Sequence, residues 1–181
     1  MADKYIFPNE LKPEDVRSVR KMLKLTQAEF AEFVCVSKQT VVRWETGTTK
    51  VNGSIIFAIE TLRRQPEIME YFKVPEKEYP LRLLYYYKSM LCTIIDVSIV
   101  TQRVKIKNYT DNLLFRAFGI NEHPTYKEYE EFLESRCFPR TRDKMKLVLE
   151  DLDIPFYEPM MIIEKTEGRM AEDDFWIKIE R

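Results

Sequence analysis

Apolar residues recur at helical spacing in four short blocks between residues 12 and 64, and beyond residue 80 much of the pattern shortens to a period of two. Val16, Val19, Met22, Leu23 and Leu25 form the first block. Ala28, Phe30, Ala31, Phe33 and Val34 form the second, Val41, Val42 and Trp44 the third, and Ile55, Ile56, Ala58, Ile59 and Leu62 the fourth. Each predicts a helix with one buried side. Residues 65–80 hold three prolines among alternating charges and read as a connector, with a short helix around Glu67 to Phe72. Leu91–Ile99 and Arg103–Lys107 are rich in Ile, Val and Thr, and Val104-Lys105-Ile106-Lys107 alternates, which predicts two or three strands. Helices follow over Tyr126–Arg136, Thr141–Asp151 and Pro159–Lys165, and the alternating Phe175–Ile179 predicts a last strand or a docking tail.

Punctuation fixes the ends of the first three helices. Lys12-Pro13-Glu14-Asp15 is a helix start, with proline and acids in the first turn. Thr26 and Glu29 have the spacing of a capping box, in which each side chain satisfies a free backbone N–H. Ser37 is the next N-cap, and Val36 and Val41 flank it as a hydrophobic staple. Ala31 is small where a second helix must cross closely. Trp44 is expected to be a partly buried ring that anchors its helix.

Two short helices joined by a tight turn, the second polar and basic outside, are the layout of a helix-turn-helix reading the DNA major groove. Lys38, Gln39, Thr40 and Arg43 lie in the first two turns of that second helix. Their types fit: Arg or Lys reads guanine, Gln reads adenine, and the Thr methyl touches thymine. Gln27, at a helix N-terminus, suits phosphate or an adenine edge. Thr48, Thr49 and Lys50 form a polar loop suited to phosphate. The expected DNA-binding set is Gln27, Ser37, Lys38, Gln39, Thr40, Arg43, Thr48 and Lys50.

Leu25-Thr26-Gln27-Ala28-Glu29-Phe30-Ala31, Val36-Ser37-Lys38-Gln39-Thr40-Val41 and Arg43-Trp44-Glu45-Thr46-Gly47 resemble the XRE (lambda repressor and Cro-like) family over about residues 11–64. The resemblance implies a compact all-helical unit of four or five helices. Cys35 departs from it, standing where the family usually has a left-handed glycine between the helices. The expected architecture is an N-terminal all-α helix-turn-helix domain (1–65), a linker (66–80) and an α+β C-terminal domain with a small sheet (81–181).

The formal charge of −1 looks wrong for a DNA binder, but it is unevenly spread. Residues 1–65 hold 11 Lys+Arg against 8 Asp+Glu, and the remainder 18 against 22. The positive half carries the motif, with an excess small enough to demand base contacts and a homodimer as well as phosphate attraction. Cys35, Cys92 and Cys137 are isolated and His123 is the only histidine, which argues against a zinc site. No metal or cofactor is expected. An odd cysteine count without a signal peptide points to a reducing cytoplasm. The apolar run from Met90 to Val100 is broken by Thr93, Asp96 and Ser98, so no membrane partner is expected.

Enzymatic readings find isolated pieces only. Glu172-Asp173-Asp174 reads as a solvated turn, Arg140-Thr141-Arg142-Asp143 as a helix start with Thr141 as N-cap, and His123 before a proline as a loop residue. The stretch from Arg136-Cys137-Phe138-Pro139-Arg140 through Gly168-Arg169-Met170-Ala171-Glu172-Asp173-Asp174-Phe175-Trp176-Ile177 is similar to companion proteins of HipA-like toxins. Two functions therefore stand side by side. One is a sequence-specific regulator of double-stranded DNA, an autoregulatory repressor whose second domain dimerises or senses. The other is an antitoxin or phage-type inhibitor whose residues 81–181 bind a toxin or other protein target. The exposed-looking aromatics Tyr85-Tyr86-Tyr87 and Phe175-Trp176 fit either a protein-binding surface or a homodimer contact.

Overall fold

The computed structural model describes residues 5–181 and divides them into two compact units, one ending at Lys73 and one running from Val74 to Arg181. The first unit is all helical: α1 (Pro13–Met22), α2 (Gln27–Phe33), α3 (Lys38–Thr46), α4 (Ile55–Arg64) and α5 (Ile68–Phe72). Its core is Val16 and Val19 from α1, Phe30 and Ala31 from α2, Val41 and Trp44 from α3, and Ile56, Ile59 and Leu62 from α4. Leu11 and Val51, both buried, close it with an isolated antiparallel bridge. Met22 and Ala28, expected inside, lie on the surface. Each sits at the edge of its helix's apolar stripe, where the short neighbouring helices leave nothing to cover it.

The second unit pairs a sheet with helices on one face. Its elements are β1 (Leu81–Tyr87), β2 (Met90–Ser98), β3 (Arg103–Asn108), α6 (Tyr126–Ser135), α7 (Met145–Asp151), α8 (Pro159–Thr166) and β4 (Phe175–Glu180). The strands run antiparallel in the order β3-β2-β1-β4, so the C-terminal strand returns beside the first. Leu83, Tyr85, Ile95, Val97 and Ile177 point to one face, where Tyr129, Phe132 and Leu133 of α6 and Ile162 and Ile163 of α8 cover them. Leu84, Ile94 and Tyr109 form a smaller apolar cluster of their own.

Two expectations change here. The tyrosine run is a strand: Tyr85 is buried, while Tyr86 stacks on Trp176 at 4.5 Å and Tyr87 on Phe115 at 4.5 Å. These aromatics, with Phe175 and Trp176, are mostly consumed by the fold's own packing. The run from Leu91 to Ile99 is a strand as expected, β2 from Met90 to Ser98, and most of it is buried. Residues 141–144 do not open a helix. α7 begins at Met145, after Lys144 takes a left-handed φ of 57°, so Thr141 is no N-cap.

Among the described residues no buried side-chain nitrogen or oxygen lacks a hydrogen-bond partner. Arg82 and Asp96, opposite each other on β1 and β2, join through two bonds of 2.6 and 2.7 Å. Arg82 also donates to the carbonyls of Pro75 and Glu76, and the Glu78 amide donates to Asp96, which fastens residues 75–78 to this sheet. Earlier in the same connector, Ile68 and Met69 of α5 pack on the first core. Arg136 reaches the Gly168 carbonyl, the Asp173 carboxylate and the Phe175 carbonyl at 2.7–3.1 Å. Gly168 is required there, because its φ is +61° and a Cβ would lie 3.2 Å from Ile177. Asp173 is therefore a structural acceptor and not part of a solvated acidic turn; Arg136 holds its carboxyl below the usual range. Among the described residues no helix is long and apolar enough to cross a membrane.

Removing one member of a buried ion pair strands the other. Asp96→Ala is expected to cost about 3–5 kcal/mol, read as a lower urea midpoint. A loss under about 1 kcal/mol would mean that Arg82 can reach water and that the pair is not structural.

Candidate nucleic-acid interface

The site is built on α2 and α3, and the caps that place them are formed as the side chains dictate. Thr26 Oγ1 accepts from the Glu29 amide at 3.3 Å, while Glu29 accepts the Thr26 amide at 2.7 Å. Ser37 Oγ accepts the Thr40 amide at 3.1 Å and shares a hydrogen bond with Thr40 Oγ1 at 2.8 Å. Cys35 takes φ = 56° in the turn between the helices, the left-handed geometry that glycine usually supplies. Gly47 ends α3 at φ = 75°, and the Thr48 amide folds back onto the Arg43 carbonyl at 2.9 Å. That terminator starts the loop carrying Thr48, Thr49 and Lys50.

Trp44 and Val41 anchor α3 in the core, with Trp44 only 7% exposed. The second anchor is polar and was not anticipated. Glu45 is 4% exposed and receives Arg20 of α1 at 2.6 and 3.1 Å and Gln27 of α2 at 2.8 Å. Arg17 donates to the Glu45 carbonyl at 2.7 Å, and Arg20 also donates to the Leu25 carbonyl at 2.9 Å. One carboxylate thus joins three helices. Burial alone would raise its pKa, but hydrogen bonds from Arg20 and Gln27 and the charges of Arg20 and Arg17 bring it below the usual range. The sequence signal was an acidic residue beside Trp44 on the inward side of a helix, which demands a cation inside the same domain.

This frame sorts the expected DNA-binding residues. Lys38, Gln39 and Arg43 are exposed and make no side-chain hydrogen bond or ion pair with any described residue. Gln39 and Arg43 are one helical turn apart on the same face. Ser37 and Thr40 are engaged with each other at the cap. Thr48 shares a hydrogen bond with Thr46 at 2.9 Å, and Lys50 pairs with Glu10 at 3.1 Å on the surface. Gln27 is half-buried and donates one amide N–H to Glu45, which leaves its second N–H and its carbonyl for another partner.

The Glu45 network carries a pH dependence whose sign is fixed. A carboxyl with a folded-state pKa below its unfolded value binds fewer protons when folded. Its contribution is complete above the unfolded value, about 4.3, and is lost as pH falls through the lower folded value. Acid should therefore weaken the N-terminal unit, and Glu45→Gln should flatten that slope in thermal melts between neutral pH and about pH 3. At neutral pH the same substitution should cost roughly 2–3 kcal/mol by stranding Arg20. An unchanged acid slope would show that Glu45 is not the titrating anchor.

The family model described as Helix-turn-helix matches residues 16–62. Its span runs from Val16, the first buried residue of α1, to Leu62 of α4, and takes in every residue that Glu45 joins. Antitoxin HigA-2 of Vibrio cholerae serotype O1 (strain ATCC 39315 / El Tor Inaba N16961) is similar to this chain, 25% identical over 61 residues. That similarity covers 34% of this chain and 59% of the relative, less than two thirds of its length. Cap geometry, a pinned second helix and the matched span agree, and residues 16–62 of this chain are a helix-turn-helix domain of the XRE type.

Proposed function

We propose that this protein is a sequence-specific, double-stranded DNA-binding transcriptional regulator, a repressor of its own promoter, with α3 reading the major groove. The observation that carries the reading is the contrast along α3. Val41, Trp44 and Glu45 are locked inside, while Lys38, Gln39 and Arg43 stand outside and uncommitted. A reading helix needs this preorganisation, because side chains freed from internal bonds pay no extra cost to bond a base edge. In this reading Arg43 and Gln39 contact bases. Lys38, the N-terminus of α2 and the Thr48–Lys50 loop contact phosphates. The Lys50–Glu10 pair is exposed on both sides, so exchanging Glu10 for a phosphate loses little. Ser37, Thr40 and Gln27 chiefly hold the frame, with the second N–H and the carbonyl of Gln27 left for the DNA.

Few base contacts per domain imply two copies on a palindrome, with half-sites about one helical turn apart. We assign that dimer contact to the second unit. Its exposed apolar residues Leu113, Leu114 and Ile120 lie close together in the chain between β3 and α6. The first unit also exposes Phe57, but Phe7 packs edge-on against it at 5.7 Å.

A second reading takes its support from the likeness to an antitoxin. There the helix-turn-helix silences its own promoter, while residues 81–181 bind and block a protein target. Co-purification of residues 74–181 with the product of a neighbouring gene would favour it.

Arg43→Ala and Gln39→Ala should each weaken binding to the protein's own operator by about 1–3 kcal/mol and relax selectivity at one base pair. Lys50→Ala should weaken all sequences alike and lower the salt slope by about one. Footprints that keep full selectivity after Arg43→Ala would remove α3 from the groove.

Ending the chain at Lys73 keeps Ile68 and Met69, which belong to the first core. Such a chain should fold, sediment as a monomer and bind operator far more weakly than the whole protein. A shortened chain that still dimerises and binds at full strength would free the second unit for another partner.

A further inference from the structure

A cavity of about 510 Å³ opens in the second unit beside α6, the start of α8 and the turn after β2. It is within the size range of small-molecule sites. Tyr126, Tyr129, Glu130 and Leu133 recur along one side of α6 and form one wall. Met160 of α8 and Ile99 of the turn add apolar surface. The walls are thus aromatic and aliphatic, but the charges among them are mainly of one sign.

Glu130, Glu134 and Glu158 line the space, and Arg140 is the one cation in the lining. Arg140 is already committed: it lies 2.6 Å from Glu134 and 4.3 Å from the centre of the Tyr157 ring. One oxygen of Glu158 caps α8 by accepting the Met161 amide at 2.8 Å, and its other oxygen makes no hydrogen bond with a described residue. Glu130 and Glu158 are left without a cation among the described residues.

Tyr129 is the second, independent observation. Its side chain is 98% buried, since only 2% of the residue is exposed. Its hydroxyl makes no hydrogen bond with any described residue. The sliver of it that is not covered lies on the cavity, among Tyr126, Glu130 and Glu158. The hydroxyl is not sealed from solvent, so it is free to bond a polar group that enters the cavity.

We propose that this cavity binds a small organic cation, a primary ammonium carried on an aromatic or aliphatic body. The ammonium donates to the Tyr129 oxygen and to the carboxylates of Glu130 and Glu158, while the body lies against the tyrosine rings, Leu133 and Met160. The rings attract a cation over their faces as well. A neutral ligand leaves the carboxylates unmatched, and an anion meets them head on. None of this depends on the DNA reading of the first unit.

The test uses the full-length protein in phosphate buffer and 2-phenylethylamine as the probe, with 2-phenylethanol and phenylacetate as neutral and anionic counterparts of similar size. Titration by isothermal calorimetry and by NMR should show the amine binding at millimolar concentration or tighter, with shifts centred on Tyr126, Leu133 and Met160. The alcohol should bind at least about tenfold more weakly, and phenylacetate not at all. Glu130→Gln, on an exposed side chain, should reduce amine affinity about three- to tenfold. Tyr129→Phe removes the unpartnered oxygen alone. It should weaken amine binding by a similar factor while leaving the melting temperature unchanged or raised. Equal binding of alcohol and amine, amine affinity unmoved by Tyr129→Phe, or shifts confined to other parts of the molecule would each overturn the proposal.

Discussion

Everything proposed for DNA recognition depends on one buried carboxylate. Glu45 sits on the inner side of α3 and accepts from α1 through Arg20 and from α2 through Gln27. Apolar packing by Val41 and Trp44 can bring α3 to the core, but it tolerates small rotations and slides. A bidentate guanidinium–carboxylate contact does not, because two parallel hydrogen bonds fix distance and angle together. A reading helix works only if its outer side chains arrive in register with base edges, so the inner ion pair sets the aim of the outer face. Gln27 adds a consequence for the front of α2: the residue nearest a prospective phosphate is tied to the residue that orients α3.

The same device recurs in the second unit with different partners. Arg82 grips Asp96 across two strands, and Arg136 grips Asp173 and two carbonyls near the start of β4. In each unit an arginine fork joins segments far apart in sequence. Such pairs add little net stability over apolar packing. Their geometric demands, however, reject alternative registers. For a four-stranded sheet whose last strand comes from the far end of the chain, that selectivity matters more than strength.

How far the sequence could be read follows from where local signals dominate. The caps at Thr26 and Ser37, the stop at Gly47 and the inward Trp44 are local, and they appear in the structure as the sequence implies. The alternation of β3 and β4 and the Ile, Val and Thr richness of β2 are likewise local. β1 was hidden because Leu81–Tyr87 is buried on both faces over most of its length, so it shows no alternation, and a row of tyrosines mimics a surface patch. The start of α7 was misplaced because Lys144 adopts a backbone conformation its side chain gives no hint of. Arg20 and Glu45 were missed for another reason. They are 25 residues apart, and pairing across that distance is decided by tertiary packing alone. The solvent-facing set on α3 was legible as residue types. Their freedom from internal partners, which separates Arg43 from Ser37, was not.

Among the described residues, seven with side chains, Cys35 among them, hold left-handed backbone angles, in addition to four glycines. An L-residue there carries a penalty of about 1–2 kcal/mol. Turns of this kind do not form on their own and then gather the chain around them. They close only when the flanking helices or strands are already docked and can hold them shut. The bend between α2 and α3 therefore relies on the docked helices on either side to hold Cys35 in place, and whatever loosens their packing loosens the turn with them.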